Sequence, residues 1–184
     1  FGGEIEDAKI KAYVNTLGQR LARISEFPDL NWTFTVLNSD ITNAFALPGG
    51  YVYVTRGLLS LASTEAELAG VLGHEIGHVT ARHSAQRYST GVAASLGALV
   101  LGVLTGSDLV AQAGQSVAGI ALASYSREQE LEADMLGVRY LARAGYDPTA
   151  MSTFLEKLQM ESALAAELAG RPGAENEFNI MATR

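Results

Sequence analysis

The first part of the chain changes from a helical to an extended pattern of hydrophobic positions. Apolar residues recur at the three- to four-residue spacing of a helix over residues 4–25, and the pattern ends at Phe27-Pro28. Residues 32–37 and 51–55 are instead rich in β-branched and aromatic residues that alternate with polar ones, which predicts two strands. Between them, residues 43–46 are short and extended. The pattern therefore predicts one helix followed by a small antiparallel sheet.

From residue 63 onward the pattern is helical and no further strand is predicted. Helices are expected at residues 64–87, 126–144 and 148–169. Thr64 and Glu67 have the spacing of a capping box at the start of the first of these helices. Because the strands come first and the helices follow, the predicted fold class is α+β, with a single domain over residues 1–184.

Size and charge narrow the possible functions. The chain has 184 residues and a mass of 19.5 kDa, which is room for one domain with a sizeable core. Its 13 basic and 20 acidic residues give a net charge of −7, and a field of that sign repels phosphate, so we expect no nucleic-acid partner. The chain has no cysteine, so any metal must be held by His, Asp or Glu.

One long stretch is almost free of charge. Residues 88–107 carry none, and after Asp108 the next charged residue is Arg127. Two such runs are long enough for a transmembrane hairpin. Their Gly, Ala and Ser content, and the mean hydropathy of only +0.12 for the chain, favour instead a lid or helical hairpin over residues 88–125. We therefore expect no membrane span.

The chemistry is concentrated in the motif His74-Glu75-Ile76-Gly77-His78, inside a predicted helix. Four residues turn a helix by about 400°, so His74 and His78 lie about 40° apart and one turn above each other. Both imidazoles can then bind one zinc ion. Glu75 lies about 100° round the helix, where it can polarise a water molecule without being a ligand. The alternative is a chance match, but the chain has only three histidines.

A catalytic zinc site has three protein ligands, so a third ligand is needed besides the two histidines. His83 lies five residues after His78, about 140° round a continuous helix, and we expect it to point away from the metal as a capping or packing residue. Since the chain has no other histidine and no cysteine, the third ligand must be a carboxylate.

Two acidic pairs with helical spacing lie on the helix that begins near residue 126. Glu128 and Glu132 continue onto arginines, which is typical of a solvated face. Glu130 and Asp134 lie on an apolar face formed by Leu131, Ala133, Gly137, Val138 and Leu141. Because unpaired carboxylates would be costly there, we predict Glu130 as the third ligand and Asp134 as the group that orients a ligand histidine. The alternative places Glu130 on the exposed face beside Arg127.

Three segments together resemble the BepA/HtpX-type zinc metallopeptidases, a family that also includes the CAAX prenyl proteases. They are residues 43–50, the motif at 74–78, and the stretch from Ser126 through Glu130 and Asp134 to Pro148. The resemblance covers nearly the whole chain. It implies that His74, His78 and Glu130 bind zinc and that Glu75 is the catalytic base.

The resemblance also implies a function. It indicates a zinc-dependent metalloendopeptidase with one zinc ion per chain and polypeptide substrates, in a soluble branch of the periplasm or cell envelope. That branch works on outer-membrane protein quality control, so the resemblance implies misfolded or envelope proteins as substrates and an association with the outer-membrane assembly machinery. The alternative function is a chaperone-like module that binds proteins through residues 88–125 and whose zinc site is structural or occluded.

Two parts of the predicted site are less defined. We expect a substrate strand to pair along Asn43, Ala44, Phe45 and Ala46, with a simple turn role as the alternative for Asn43. The residue that stabilises the oxyanion stays open among Tyr125, Arg127 and Tyr146.

The ends of the chain are also informative. It opens with Phe1-Gly2-Gly3 and no initiator Met, which predicts a trimmed or processed product. Members of the resembling branch commonly have a histidine near the end of the domain that can close over the zinc. The last residues here are Met181-Ala182-Thr183-Arg184, so we do not infer such inhibition.

Overall fold

The computed structural model describes residues 2–92 and 125–168, except for the side chains of residues 165 and 166. In chain order the elements are α1 (Ala8–Ala22), β1 (Thr33–Leu37), β2 (Ala44–Leu47), β3 (Tyr51–Thr55), α2 (Arg56–Leu61), α3 (Glu65–Thr80), α4 (Arg127–Arg143) and α5 (Thr149–Leu168). A further helical segment occupies residues 83–92. The α+β class is confirmed. Most of the predicted lid, residues 93–124, lies outside the described residues and stays a prediction.

The small sheet has the strand order β1-β3-β2. β2 and β3 are antiparallel neighbours, joined by a turn in which Gly49 and Gly50 have φ values of 96° and 89°, a region that favours glycine. β1 instead pairs with β3 in parallel, with Thr33 opposite Tyr51. The prediction of an all-antiparallel sheet is therefore wrong for this pair. β2 lies between β1 and β3 in the sequence and runs antiparallel to β3, so β3 returns to the direction of β1 and pairs with it on its other side.

The helix starts use the residue types that the sequence predicts. Thr64 accepts a hydrogen bond from the backbone N–H of Glu67 at 3.2 Å, so the predicted cap is present. The Glu67 carboxylate, however, does not complete a capping box on Thr64. It accepts from the N–H of Ser63 at 2.7 Å and pairs with Lys157 at 2.7 Å. This pair attaches the start of α3 to α5.

The centre of the fold is α3, in which every residue from Glu67 to Val79 is buried. It ends at Thr80 and not at residue 87 as predicted. Arg82 adopts a left-handed φ of 62°, which is uncommon for a residue other than glycine, and the helical segment 83–92 starts in a new direction. No helix within residues 2–92 and 125–168 combines the length and the apolar content needed to cross a membrane.

α3 and α4 lie very close together because glycines face the partner helix where they cross. A Cβ atom on Gly137 would lie 3.0 Å from the backbone N of His74, and one on Gly77 would lie 3.1 Å from a backbone oxygen of α4. The backbone of α4 therefore lies directly against the turn of α3 that carries His74. This contact brings Glu130 and Asp134 to the histidines.

We expect Gly137→Ala to lower the free energy of unfolding by about 1–3 kcal/mol, because the new methyl group must push α4 away from α3. Urea unfolding followed by the fluorescence of the buried Trp32 measures this. Gly70→Ala is the matched control, since its Cβ atom would make only ordinary contacts, the nearest at 3.4 Å from Met151. Its unfolding midpoint should stay the same or rise. Equal midpoints for Gly137→Ala and the wild type would contradict the close-contact interpretation.

Candidate metal centre

Three predicted metal ligands converge in the buried space between α3 and α4. The Nε2 atoms of His74 and His78 lie 2.9 Å apart. The Glu130 carboxylate lies 3.4 Å from Nε2 of His74 and 3.8 Å from Nε2 of His78. Within the described residues, these three side chains form the group whose ligand atoms all lie within 4.8 Å of one another. The structure therefore brings together the two histidines and the carboxylate that the sequence predicts.

The same space contains two buried carboxylate oxygens for which residues 2–92 and 125–168 provide no hydrogen-bond partner. One is Oε2 of Glu130 and the other is Oε2 of Glu75; the two residues are 6% and 2% exposed. A buried carboxylate without a partner is costly unless a cation is nearby. The Nε2 atoms of the two histidines, 2.9 Å apart, point into the same space, where one cation could accept a lone pair from each. This donor set fits a metal cation.

The charge balance of His74 leads to the same conclusion. Burial acts against a charged His74, but its hydrogen bond to Asp134, together with Glu130 and Glu75, raises its pKa to about 10. Burial, followed by the charges of His74 and His83, lowers the pKa of His78. Positive charge is therefore favoured at one position between the two imidazoles, where a divalent cation would supply it.

Glu75 lies beside the ligand group without belonging to it. It follows His74 on α3, is buried, and does not belong to the convergent group. Burial raises its pKa to about 7, with His74 opposing the rise and Glu130 adding to it. A carboxylate whose pKa lies near neutrality is suited to taking up and releasing a proton.

Asp134 lies where the sequence predicts it. Its Oδ1 accepts a hydrogen bond from Nδ1 of His74 at 2.9 Å. That bond places the hydrogen on Nδ1 and leaves the lone pair of Nε2 directed at the centre of the site. Ala133, Gly137 and Leu141 on this face of α4 are buried. The predicted burial of Leu131 and Val138 is wrong, since they are 52% and 38% exposed and lie at the margin of the packed face.

Of the three residues left open as oxyanion partner, the structure places Tyr125 against the site. Its ring stacks on His78 with the centroids 3.8 Å apart, and its hydroxyl group lies 3.0 Å from Oγ of Ser84. Tyr146 instead bonds Glu65 at the far end of α3, and Arg127 is exposed. Sequence reasoning missed Arg87, whose guanidinium lies 3.9 Å from the centroid of the Tyr125 ring.

His83 does not point away from the site, so that prediction is wrong. It is 3% exposed, and its Nδ1 lies 3.2 Å from Nδ1 of His78. Its Nε2 lies 3.1 Å from the Glu132 carboxylate. The expectation assumed a continuous helix, and the break at Arg82 changes the direction of His83. Glu132 is accordingly more than a residue of the solvated face.

The sequence profile of peptidase family M48 matches residues 8–183. The chain belongs to peptidase family M48. This membership confirms the predicted family, that of a metallopeptidase.

Several curated relatives in this M48 family are similar to the chain. The beta-barrel assembly-enhancing protease of Escherichia coli K12 is 37% identical over 164 residues, which cover 84% of this chain and 34% of the relative. The mitochondrial metalloendopeptidase OMA1 of Arabidopsis thaliana is 36% identical, covering 88% of the chain and 33% of the relative. The OMA1 of Schizosaccharomyces pombe is 36% identical, covering 83% and 47%. The chain thus spans between a third and a half of the length of these relatives.

Proposed function

We propose that the chain is the peptidase unit of a zinc-dependent metalloendopeptidase. The observation that carries this proposal is the convergence of His74, His78 and Glu130 within 4.8 Å beside Glu75, a buried residue whose Oε2 has no hydrogen-bond partner among the described residues. Two histidines and one glutamate are the protein ligands of several catalytic zinc sites. The three residues would therefore hold one zinc ion per chain.

Glu75 is the proposed general base. When bound, zinc supplies Lewis acidity, which polarises the scissile carbonyl group and makes water more acidic. Glu75 Oε2, which has no hydrogen-bond partner among the described residues, takes a proton from the attacking water. The same carboxyl group then delivers the proton to the leaving amine nitrogen. Asp134 holds the ring of His74 in its ligating orientation throughout.

The proposed substrate strand lies along β2, the end strand of the sheet. Both backbone groups of Asn43 face β3, because they bond Thr55 at 2.9 Å. In an antiparallel ladder the backbone groups of successive residues point alternately toward the neighbouring strand and away from it. The N–H and C=O groups of Ala44 and Ala46 therefore point to the outer edge, where an added strand would pair. Ala46 is fully buried, so pairing there requires a local opening of this edge. Asn43 would support the strand through Thr55 and not bind the substrate backbone itself.

We further propose that the natural substrates are misfolded polypeptides of the bacterial cell envelope. The sequence resemblance to the periplasmic branch supports this compartment and an association with outer-membrane assembly, and the name of the Escherichia coli relative refers to beta-barrel assembly. The mitochondrial relatives are the competing indication. Fractionation of the native host tests the proposal, and recovery of the protein from the cytosolic fraction would contradict it.

The alternative of a chaperone-like module with a structural zinc site is less well supported. A structural site has no use for a base, yet Glu75 is buried next to the ligand cluster with an unpaired oxygen. A carboxylate in that position is costly to keep. Catalysis gives a reason for it.

Cleavage of casein by the purified protein tests the proposed activity. We expect cleavage to stop when a chelator removes the metal and to return when zinc is added back, because the ligand group then regains its cation. Retention of casein without cleavage, in the presence of bound zinc, would favour the chaperone-like alternative.

A further inference from the structure

His83 is a buried titratable residue that the proposed mechanism does not use. It lies outside the group of three converging ligand atoms but touches one of the proposed ligands, with its Nδ1 3.2 Å from Nδ1 of His78. On its other side, its Nε2 lies 3.1 Å from Oε2 of Glu132. His83 therefore links a proposed metal ligand to a carboxylate.

The hydrogen positions in the series His78, His83 and Glu132 follow from the partners at its two ends. As a proposed zinc ligand, His78 would bind the ion through the lone pair of Nε2, the atom that faces Nε2 of His74, so the hydrogen of His78 belongs on Nδ1. That hydrogen is donated to Nδ1 of His83. The hydrogen of His83 then lies on Nε2 and is donated to the Glu132 carboxylate, which can only accept. This assignment gives each of the two bonds made by His83 one donor and one acceptor.

We propose that His83 and Glu132 are positioning residues for the metal centre, which act through His78. They hold its ring and fix its hydrogen on Nδ1, just as Asp134 does directly for His74. This inference rests on the proposed function, because it assigns partners to one of the proposed zinc ligands. Such outer partners commonly set the affinity of a metal site.

The local backbone supports a specific role for His83. On an uninterrupted helix His83 would lie about 140° round from His78, out of reach. The contact exists because α3 ends at Thr80 and Arg82 adopts a φ of 62°, a backbone conformation that residues other than glycine rarely adopt. The unfavourable backbone conformation of Arg82 therefore lies directly before His83, where it turns the imidazole of His83 toward His78.

α4 provides three carboxylates at every second position, namely Glu130, Glu132 and Asp134. Glu130 and Asp134 lie one turn apart and both contact His74. Glu132 lies about 200° away round α4, with its side chain 55% exposed, and cannot contact a ligand histidine from that face. His83 spans this gap between Glu132 and His78, so each ligand histidine has its own carboxylate.

Zinc affinity, measured by competition with a chromogenic chelator, tests the proposal directly. We expect His83→Leu, which keeps the volume but cannot accept a hydrogen bond, to weaken zinc binding by about 10- to 100-fold. His83→Asn should recover most of this loss, because its Oδ1 can take the position of Nδ1 and accept from His78. Glu132→Ala should show part of the loss, and Glu128→Ala, an exposed neighbour on α4, should show none.

A purely structural role gives a different pattern. If His83→Leu weakened zinc binding, His83→Asn failed to recover it and Glu132→Ala bound zinc like the wild type, His83 would only fill space, and the proposal would be overturned. Wild-type affinity in both His83→Leu and Glu132→Ala would overturn it as well. If His83→Leu does not fold, Glu132→Ala against Glu128→Ala decides, since both side chains are largely exposed. Failure of the metal centre itself differs, because the wild type would then bind zinc no better than Glu130→Ala.

Discussion

Glu75→Gln is expected to keep its zinc and to lose proteolysis by about 10²- to 10⁴-fold, the usual contribution of a general base. The reason is geometric. Glu75 is buried beside the ligand cluster but is not part of it, so glutamine preserves the shape of the site and removes only the ability to take up a proton. Casein cleavage and metal analysis on the same sample measure the two quantities.

Glu128→Gln is the control for this substitution, because it makes the same chemical change on an exposed side chain of α4. It should cleave casein at the wild-type rate. Substantial turnover by Glu75→Gln would exclude Glu75 as the base. Loss of zinc from Glu75→Gln would instead indicate that Glu75 is a ligand.

Glu130→Ala is expected to lose zinc and proteolysis together, with affinity reduced by more than the roughly 10- to 100-fold typical of outer partners. The carboxylate lies 3.4 Å from Nε2 of His74 and has a buried oxygen without a hydrogen bond. Removing it leaves two imidazoles as protein ligands, which is one too few for a catalytic zinc site.

Glu128→Ala is the control, because it removes the same charge from α4 at an exposed position. It separates the specific role of Glu130 from a general effect of lost charge. That variant should bind zinc and cleave casein as the wild type does. If Glu130→Ala retained a full equivalent of zinc, the third ligand would lie elsewhere.

Much of the site could be predicted because helical periodicity is regular over short distances. His74 and His78 are one turn apart on any uninterrupted helix, and the burial of α3 follows from its apolar residues. Glu130 and Asp134 were separable from Glu128 because a carboxylate on an apolar face needs a cation. Family membership agrees with the class of chemistry that these residues predict.

The remaining features depend on contacts that no local pattern encodes. Neither glycine nor proline marks the break at Arg82, so the sequence pattern predicts a continuous helix with His83 on the wrong side. The parallel pairing of β1 with β3 joins strands that are not consecutive in the chain, and strand patterns contain no information on direction. The close contact at Gly137 likewise becomes visible only when α4 lies against α3.

The central claim is that a single zinc ion held by His74, His78 and Glu130 makes this chain a peptidase. Titration of the chelator-treated protein with zinc, with bound metal and casein cleavage measured at every step, tests it most directly. Cleavage should rise in proportion to bound zinc and reach its maximum at about one ion per chain. Full occupancy without cleavage, or cleavage that is the same with and without zinc, would contradict the claim.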